Sequence, residues 1–408
     1  MDDDAIVRAK IAIAVVFVAA SAPSAAAEPD TSTDIDLGAL GLDPSAGGFD
    51  DHLNIYGFAD ISWQSLRWSH PNQFLLNTTS FVFGNLNIYL SKNLTPKARS
   101  LVEIRFLFAP NGSQNPDGTV VDTSAQDLSD FQRNLQWGGI VIERGYVEYD
   151  VHPLLTIRAG HWLTPYGIWN TDHGSPAIIG TTRPFIIGEQ FFPEHQTGLD
   201  AFGSIPLGDY KLGYHATLSN GRSPAEAQTD FDAEPGYGGR LELHTPWALT
   251  VGASIYGGGD TETIQGVTAT SEEIAYGADA QWDHGGLHLQ GEFIGRHRRY
   301  EDRSNPELAT IDPAALSTGT DVGAYLLAGY RFDHVWNAMP YAFYEFYDPR
   351  YSTNYDLVHA INLGVNFRPA AALVFKVQLT VPVFRGEDPD LLAGQKLQLV
   401  TAQAAWVF

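Results

Sequence analysis

The sequence predicts an all-β fold: a transmembrane antiparallel β-barrel of about 16 strands with an inward-folded third long loop. Three observations predict it. The N-terminus has the form of an export signal. From Asp51 onward, period-two segments roughly ten residues long recur, joined alternately by short turns and long loops. The chain then ends on a half-apolar strand whose last residue is Phe408.

The export signal spans residues 1–27. Arg8 and Lys10 precede an apolar run from Ile11 to Ala20, and Ala25, Ala26 and Ala27 supply a small-residue cleavage site. Asp2, Asp3 and Asp4 are unusual in such a segment. Residues 28–50 are small, acidic and glycine-rich, which suits a flexible periplasmic lead-in. Residues 51–408 form the barrel. No other stretch approaches the ~18–20 apolar residues a membrane helix needs. The exported chain is therefore expected in the periplasm, outside the cell or in the outer membrane, and the strand pattern favours the bacterial outer membrane.

Composition narrows the chemistry. Cysteine is absent, so neither a disulfide nor a thiol site is available. A net charge of -24 argues against nucleic acid as a partner, because its binders carry basic patches.

The first strand is expected over 52–68. Leu53, Ile55, Gly57, Ala59, Ile61 and Trp63 share one face, while Asn54, Asp60, Ser62 and Gln64 share the other. Tyr56 and Phe58 break the alternation. The second strand covers 80–92, and a short turn leads to the third at 98–109. A long loop, 110–139, carries Asp117, Asp122, Asp127 and Asp130 before the fourth strand, 140–151. His152 and Pro153 turn the chain into the fifth strand, 154–164. The sixth and seventh strands, 197–205 and 210–218, flank a tight turn. The eighth and ninth, 238–244 and 248–256, do the same. A Gly/Thr-rich loop is expected before the tenth strand, 273–282, which a glycine hairpin joins to the eleventh, 287–298. The twelfth to fifteenth strands are placed at 322–332, 341–347, 357–367 and 372–383, and an acidic loop precedes the last. Counted back in twos from Phe408, that strand reads Phe408, Trp406, Ala404, Ala402, Val400. An ordinary edge strand that happens to end the chain is the plainer alternative.

Residues 165–196 follow neither a 2.0 nor a 3.6 period. They hold Pro165, Pro176, Pro184 and Pro193 together with Tyr166, Trp169, Phe185, Phe191 and Phe192. Loops this long are uncommon in compact domains and are usually functional or disordered. Disordered segments are poor in aromatics, so this loop is expected to be ordered and packed. Packing inside a barrel would make it set the width of a pore. A surface loop packed on its own side chains is the alternative.

If the apolar parity faces lipid, a second set of residues points into the lumen. It comprises Arg99, Glu103 and Arg105; Arg144 and Glu148; Arg158; Arg240 and Glu242; Glu292, Arg296 and Arg298; Arg331; and Lys376. A charge at the lipid midplane costs roughly 2–4 kcal/mol, which gives this assignment its basis. Rings of charge set ion preference in pores. Pairing within the wall, such as Glu103 with Arg105 or Arg240 with Glu242, would leave such residues selecting nothing. From the long loop, Asp172, Arg183, Glu189 and Glu194 are the candidate constriction charges, the acids facing Arg105, Arg144 and Arg158. Trp63, Trp68, Tyr149, Trp336, Tyr341, Phe343 and Trp406 fit interfacial girdles. No G-x-S-x-G, H-E-x-x-H or P-loop pattern occurs, so neither catalysis nor a cofactor is expected. His161, His173 and His195 with Asp172 and Glu194 have no standard metal-ligand spacing.

Two segments carry a resemblance. GHWLTPYGIWN (160–170), followed by TTRPF (181–185), is similar to the strand-to-loop segment of trimeric Gram-negative porins. NLNIYLSKNLTPKARSLVEIRF (85–106) is similar to their early hairpin. The likeness is greatest to the broad group that includes phosphate- and pyrophosphate-selective porins. It implies a sixteen-stranded homotrimer with its third long loop in the pore, set among outer-membrane lipid and lipopolysaccharide. The expected function is passive diffusion of small hydrophilic solutes or ions. The pattern departs from the phosphate-selective members in lysine content, with only Lys92, Lys97, Lys211, Lys376 and Lys396 after the export signal. A barrel that binds a ligand or partner through its acidic outer loops is the alternative function, and a barrel hydrolase is a third.

Overall fold

The computed structural model describes residues 52–72, 75–107, 139–171, 174–188, 190–222, 234–264, 267–300, 318–349, 357–386, 392 and 394–408. The expected export signal and lead-in lie outside the described residues, as do the acidic stretches near 110–138 and 387–391.

Sixteen strands form among the described residues. In chain order they are β1 (Leu53–Trp68), β2 (Thr78–Thr95), β3 (Ala98–Leu107), β4 (Gly139–His152), β5 (Leu155–Leu163), β6 (His195–Leu207), β7 (Tyr210–Ser219) and β8 (Gly236–His244). There follow β9 (Leu249–Ile264), β10 (Val267–His284), β11 (Leu287–Tyr300), β12 (Gly319–Tyr330), β13 (Met339–Asp348), β14 (Leu357–Ala370), β15 (Leu373–Arg385) and β16 (Leu397–Val407). Each pairs antiparallel with the next, and β1 pairs with β16 from Phe58↔Val407 to Trp68↔Leu397, so the sheet closes. Closure leaves no unpaired edge. The backbone of Phe408 seals the seam by exchanging two hydrogen bonds with Gly57, at 2.8 and 2.9 Å.

Side chains alternate as the period-two pattern requires. On β15, Lys376, Gln378 and Thr380 are buried, whereas Phe375, Val377 and Leu379 are exposed. On β1, Leu53 and Ile55 are exposed, whereas Asp60 and Ser62 are buried. On these strands an apolar outside surrounds a polar inside, which inverts the usual partition of a water-soluble protein. It suits a hydrocarbon surround.

The structure corrects several expectations. The Gly/Thr-rich stretch before the tenth strand is itself strand: β9 and β10 stay paired to Ile264↔Val267. Threonine favours extended backbone, but Gly257, Gly258 and Gly259 interrupt the apolar alternation, which hid the pairing. Tyr341 and Phe343 are buried rather than interfacial, and Trp68 packs against Phe384 on the inner side. Tyr149 and Trp336 are exposed near short turns. Arg331 lies just beyond β12, where its amide donates to the Gly286 carbonyl at 2.8 Å. Tyr56 and Phe58, which broke the alternation, pack against Tyr89, and the Tyr56 and Tyr89 rings stack at 4.9 Å.

Candidate functional site

The site grows from the chain between β5 and β6. Its two ends are clamped together: the Thr164 amide donates to the Glu194 carbonyl at 3.0 Å, and Asn170 Nδ2 reaches the Thr164 carbonyl at 2.9 Å and that of Glu194 at 3.2 Å. Four prolines deprive this segment of amide donors, and it joins no ladder. Its carbonyls and remaining amides must therefore find partners elsewhere.

The partners are buried-face side chains of the strands. The Gly167 amide donates to Ser254 Oγ on β9 at 3.2 Å, and that of Trp169 to Glu292 on β11 at 2.8 Å. Lys376 Nζ on β15 donates to the carbonyls of Ser175 (2.6 Å) and Gly180 (2.9 Å). Arg368 on β14 donates to the Pro176 and Ala177 carbonyls, and Asn366 on the same strand to that of Ile179. Gln378 accepts from the Thr181 amide at 2.9 Å and donates to the Thr182 hydroxyl at 2.7 Å. Past Pro184 one helical turn forms, α1 (Phe185–Gly188), and the Phe185 amide donates to Glu345 on β13 at 2.7 Å. Arg222 donates to the Phe191 carbonyl at 2.8 Å.

Apolar contacts follow the same side. Tyr166, Trp169, Ile186, Phe191 and Phe192 are buried in one cluster with Tyr256, Ile294, Tyr325, Phe343 and Tyr347. Trp169 meets Tyr325 edge-on, as Phe191 meets Tyr347. The Tyr166 hydroxyl lies 2.6 Å from that of Thr217, and burial pushes its pKa above the ordinary phenol value. Gly167 has φ +75°, and a Cβ there would strike the Glu292 carboxylate. Only glycine meets both demands.

Several residues expected to line the pore bond the loop, and others pair with neighbouring wall side chains. Lys376 is 1% exposed beneath the loop. Glu292 accepts from Trp169 and from the Tyr325 hydroxyl. Arg296 pairs with Asp321 at 2.9 Å and lies over the Phe191 ring. Arg240 pairs with Asp279 and Glu242, and Arg298 with Asp260 at 3.5 Å. Arg158, 4% exposed, pairs with Glu148 and Asp200 between the rings of Tyr146 and Phe202. Arg99 pairs with Glu148 and Asp150. Glu103 pairs with Arg144 (2.6 Å) rather than with Arg105.

On the opposite side, an opening of about 240 Å³ remains between the loop and the wall of β1 to β4 with β16. Asn85, Asn87, Tyr89 and Arg105 line it from the wall, and Ser175, Ile178 and Arg183 from the loop. Arg105 bonds Glu143 at 3.1 Å, and Arg183 bonds Glu194 at 2.7 Å. A β-bulge where β3 pairs with β4 gives Glu143 this place: the register shifts between Glu103 and Ile104, and Glu143 and Arg144 are both buried. No sequence pattern marks that bulge, and Glu143 escaped notice. Arg222, Arg368 and Glu345 were missed too, as isolated polar residues in strand or loop.

Glu143, Glu194 and His195 bring ligand atoms within 4.8 Å of one another, and His161 stacks on His195 at 5.2 Å. Both acids already hold a guanidinium, which a metal ion would have to displace or sit beside. Asp172, His173 and Glu189 lie outside the described residues.

No family model matches the chain. An uncharacterized protein of Aquifex aeolicus (strain VF5) is 23% identical over 277 residues, 59% of this chain. The match spans 61% of that relative's length. Among solved structures, the anion-selective porin from Comamonas acidovorans superposes with a TM-score of 0.56 at 12% identity, covering 88% of this chain and 100% of that one. The outer membrane channel DcaP of Acinetobacter baumannii gives 0.52 at 12% identity, covering 89% and 100%. OmpT of Vibrio cholerae, an outer membrane protein, gives 0.54 at 9%, covering 87% and 97%. At these identities the likeness establishes the closed barrel fold.

Proposed function

We propose that the chain is a passive diffusion channel of the bacterial outer membrane for small hydrophilic solutes or ions. Residues 164–194 fold into the barrel and leave the opening beside β1 to β4 as its narrowest point. One observation carries the reading. Buried-face side chains of β9, β11, β13, β14 and β15 hydrogen-bond a single loop, while the facing wall keeps a polar cavity. A loop packed only on itself would not engage strands so far apart. The fold shared with outer-membrane channels supports the same reading. On this reading residues 1–27 are removed on export, 28–50 lie in the periplasm, and the barrel is one subunit of a homotrimer in lipid and lipopolysaccharide. Purified protein added to planar bilayers should give discrete stepwise conductance. Membranes that stay silent while circular dichroism confirms a folded barrel would refute the channel.

A further inference from the structure

The opening has a chemistry of its own. Among the described residues, its charged lining is Arg105, Arg144 and Arg183 with Glu103. Each arginine has a glutamate partner, but the partners are unequally placed. The Arg105 side chain is 26% exposed against 4% for Glu143, and that of Arg183 is 30% against 11% for Glu194. Glu103 is buried under Arg144 and Asn87. A solute in the opening therefore meets two guanidinium faces, one from the wall and one from the loop, with their acids set behind them. The rest of the lining mixes amides and hydroxyls, Ser175 and Thr181 among them, with Phe58, Tyr89, Leu163 and Ile178.

Among the described residues, three arginines stand against three glutamates, which leaves no surplus positive charge for a multivalent anion. Inorganic phosphate would lose hydration and lie close to three carboxylates. A monovalent carboxylate needs one bidentate guanidinium and can lay an apolar body on the hydrophobic part of the wall. The cavity is smaller than the ~300–1,000 Å³ of sites for drug-sized ligands, which limits that body to a small one.

Resting on the channel reading, we propose that the opening selects small monovalent organic carboxylates over potassium ions and inorganic phosphate, with Arg105 and Arg183 as the residues that meet the carboxylate. Reversal potentials across planar bilayers, with potassium chloride, phosphate and benzoate as probe salts, test this. Wild type should pass benzoate in preference to potassium and to phosphate by roughly five-fold or more, equivalent to about 1 kcal/mol. Arg105→Gln with Arg183→Gln should abolish that preference while stepwise openings persist. Ile178→Thr should lower benzoate relative to chloride and leave chloride relative to potassium unchanged. The proposal is overturned if wild type favours potassium or phosphate over benzoate, or if the double variant keeps the wild-type ratio. The wild-type ratios decide the matter even if the double variant does not assemble. Absence of any openings would instead remove the channel, and the proposal with it.

Discussion

At the scale of the residue, a charge on the inner face has two different fates. Lys376 is fully buried, and its ammonium is spent on two loop carbonyls. Hydrogen bonds to a charged group contribute about 1.5–3 kcal/mol. Lys376→Met should therefore lower stability by about that amount, read as a lower midpoint in a denaturant or thermal melt in detergent. It should also make open-channel current noisier as the loop loosens. A melt identical to wild type would contradict the anchoring role. Arg158 has the other kind of burial, paired with Glu148 and Asp200 and stacked on two rings. Removing one partner of a buried pair costs about 3–5 kcal/mol, because the remaining charge is left uncompensated. Arg158→Ala should cost stability and leave the reversal potential where it was. A shift in reversal potential toward cations would return Arg158 to the pore lining. Parity puts both side chains on the face that is buried here, but parity cannot show whether such a charge meets solute or backbone. For Lys376 that depends on which wall the loop covers, and its contacts with the loop lie some two hundred positions away in the chain.

At the scale of the element, the long loop and the wall each supply what the other lacks. The loop has carbonyls without a ladder, and the strands have donors without solvent. Removing 171–188 should raise single-channel conductance well above wild type, and unchanged conductance would place the loop outside the pore. The barrel itself should survive, because water can enter and solvate Lys376, Gln378 and Glu345 once they are uncovered. Strand existence was legible from alternation almost everywhere, since lipid on one side and polar groups on the other impose a period of two. It failed at 257–272, where glycine and threonine carry no apolar signal. It also failed to register the bulge that brings Glu143 beside Arg105, because an extra residue in a ladder leaves composition untouched.

At the scale of the whole molecule, closure and charge matter most. β1 and β16 meet through a ladder that ends in the Phe408–Gly57 exchange. Phe408→Ser should reduce the yield of heat-modifiable, SDS-resistant barrel on gels. A wild-type yield would show that the terminal aromatic is dispensable for assembly. The net charge of -24 is carried in part by Asp117, Asp122, Asp127, Asp130, Glu387, Asp388 and Asp390. If these acids stand at the outer mouth, their field is screened beyond ~10 Å at 0.1 M salt and ~3 Å at 1 M. Neutralising them should then change conductance in dilute salt and little in concentrated salt. An equal effect at both would move them nearer the constriction.

The one-sided anchoring of the loop has a mechanical consequence. Hydrogen bonds from Ser254 on β9 round to Gln378 on β15 tie a single segment to nearly half the circumference. A thin-walled tube resists being squeezed oval far better when an internal strut spans part of its section. If the loop lies inside the barrel, as proposed, the strutted arc should be the stiffer one, and shape fluctuation should concentrate in the arc from β1 to β4. That compliant arc is also where the bulge sits and where the opening lies. If the chain is a channel with this loop in its pore, the wall of that arc, and not the loop, would be the part that yields as a solute passes.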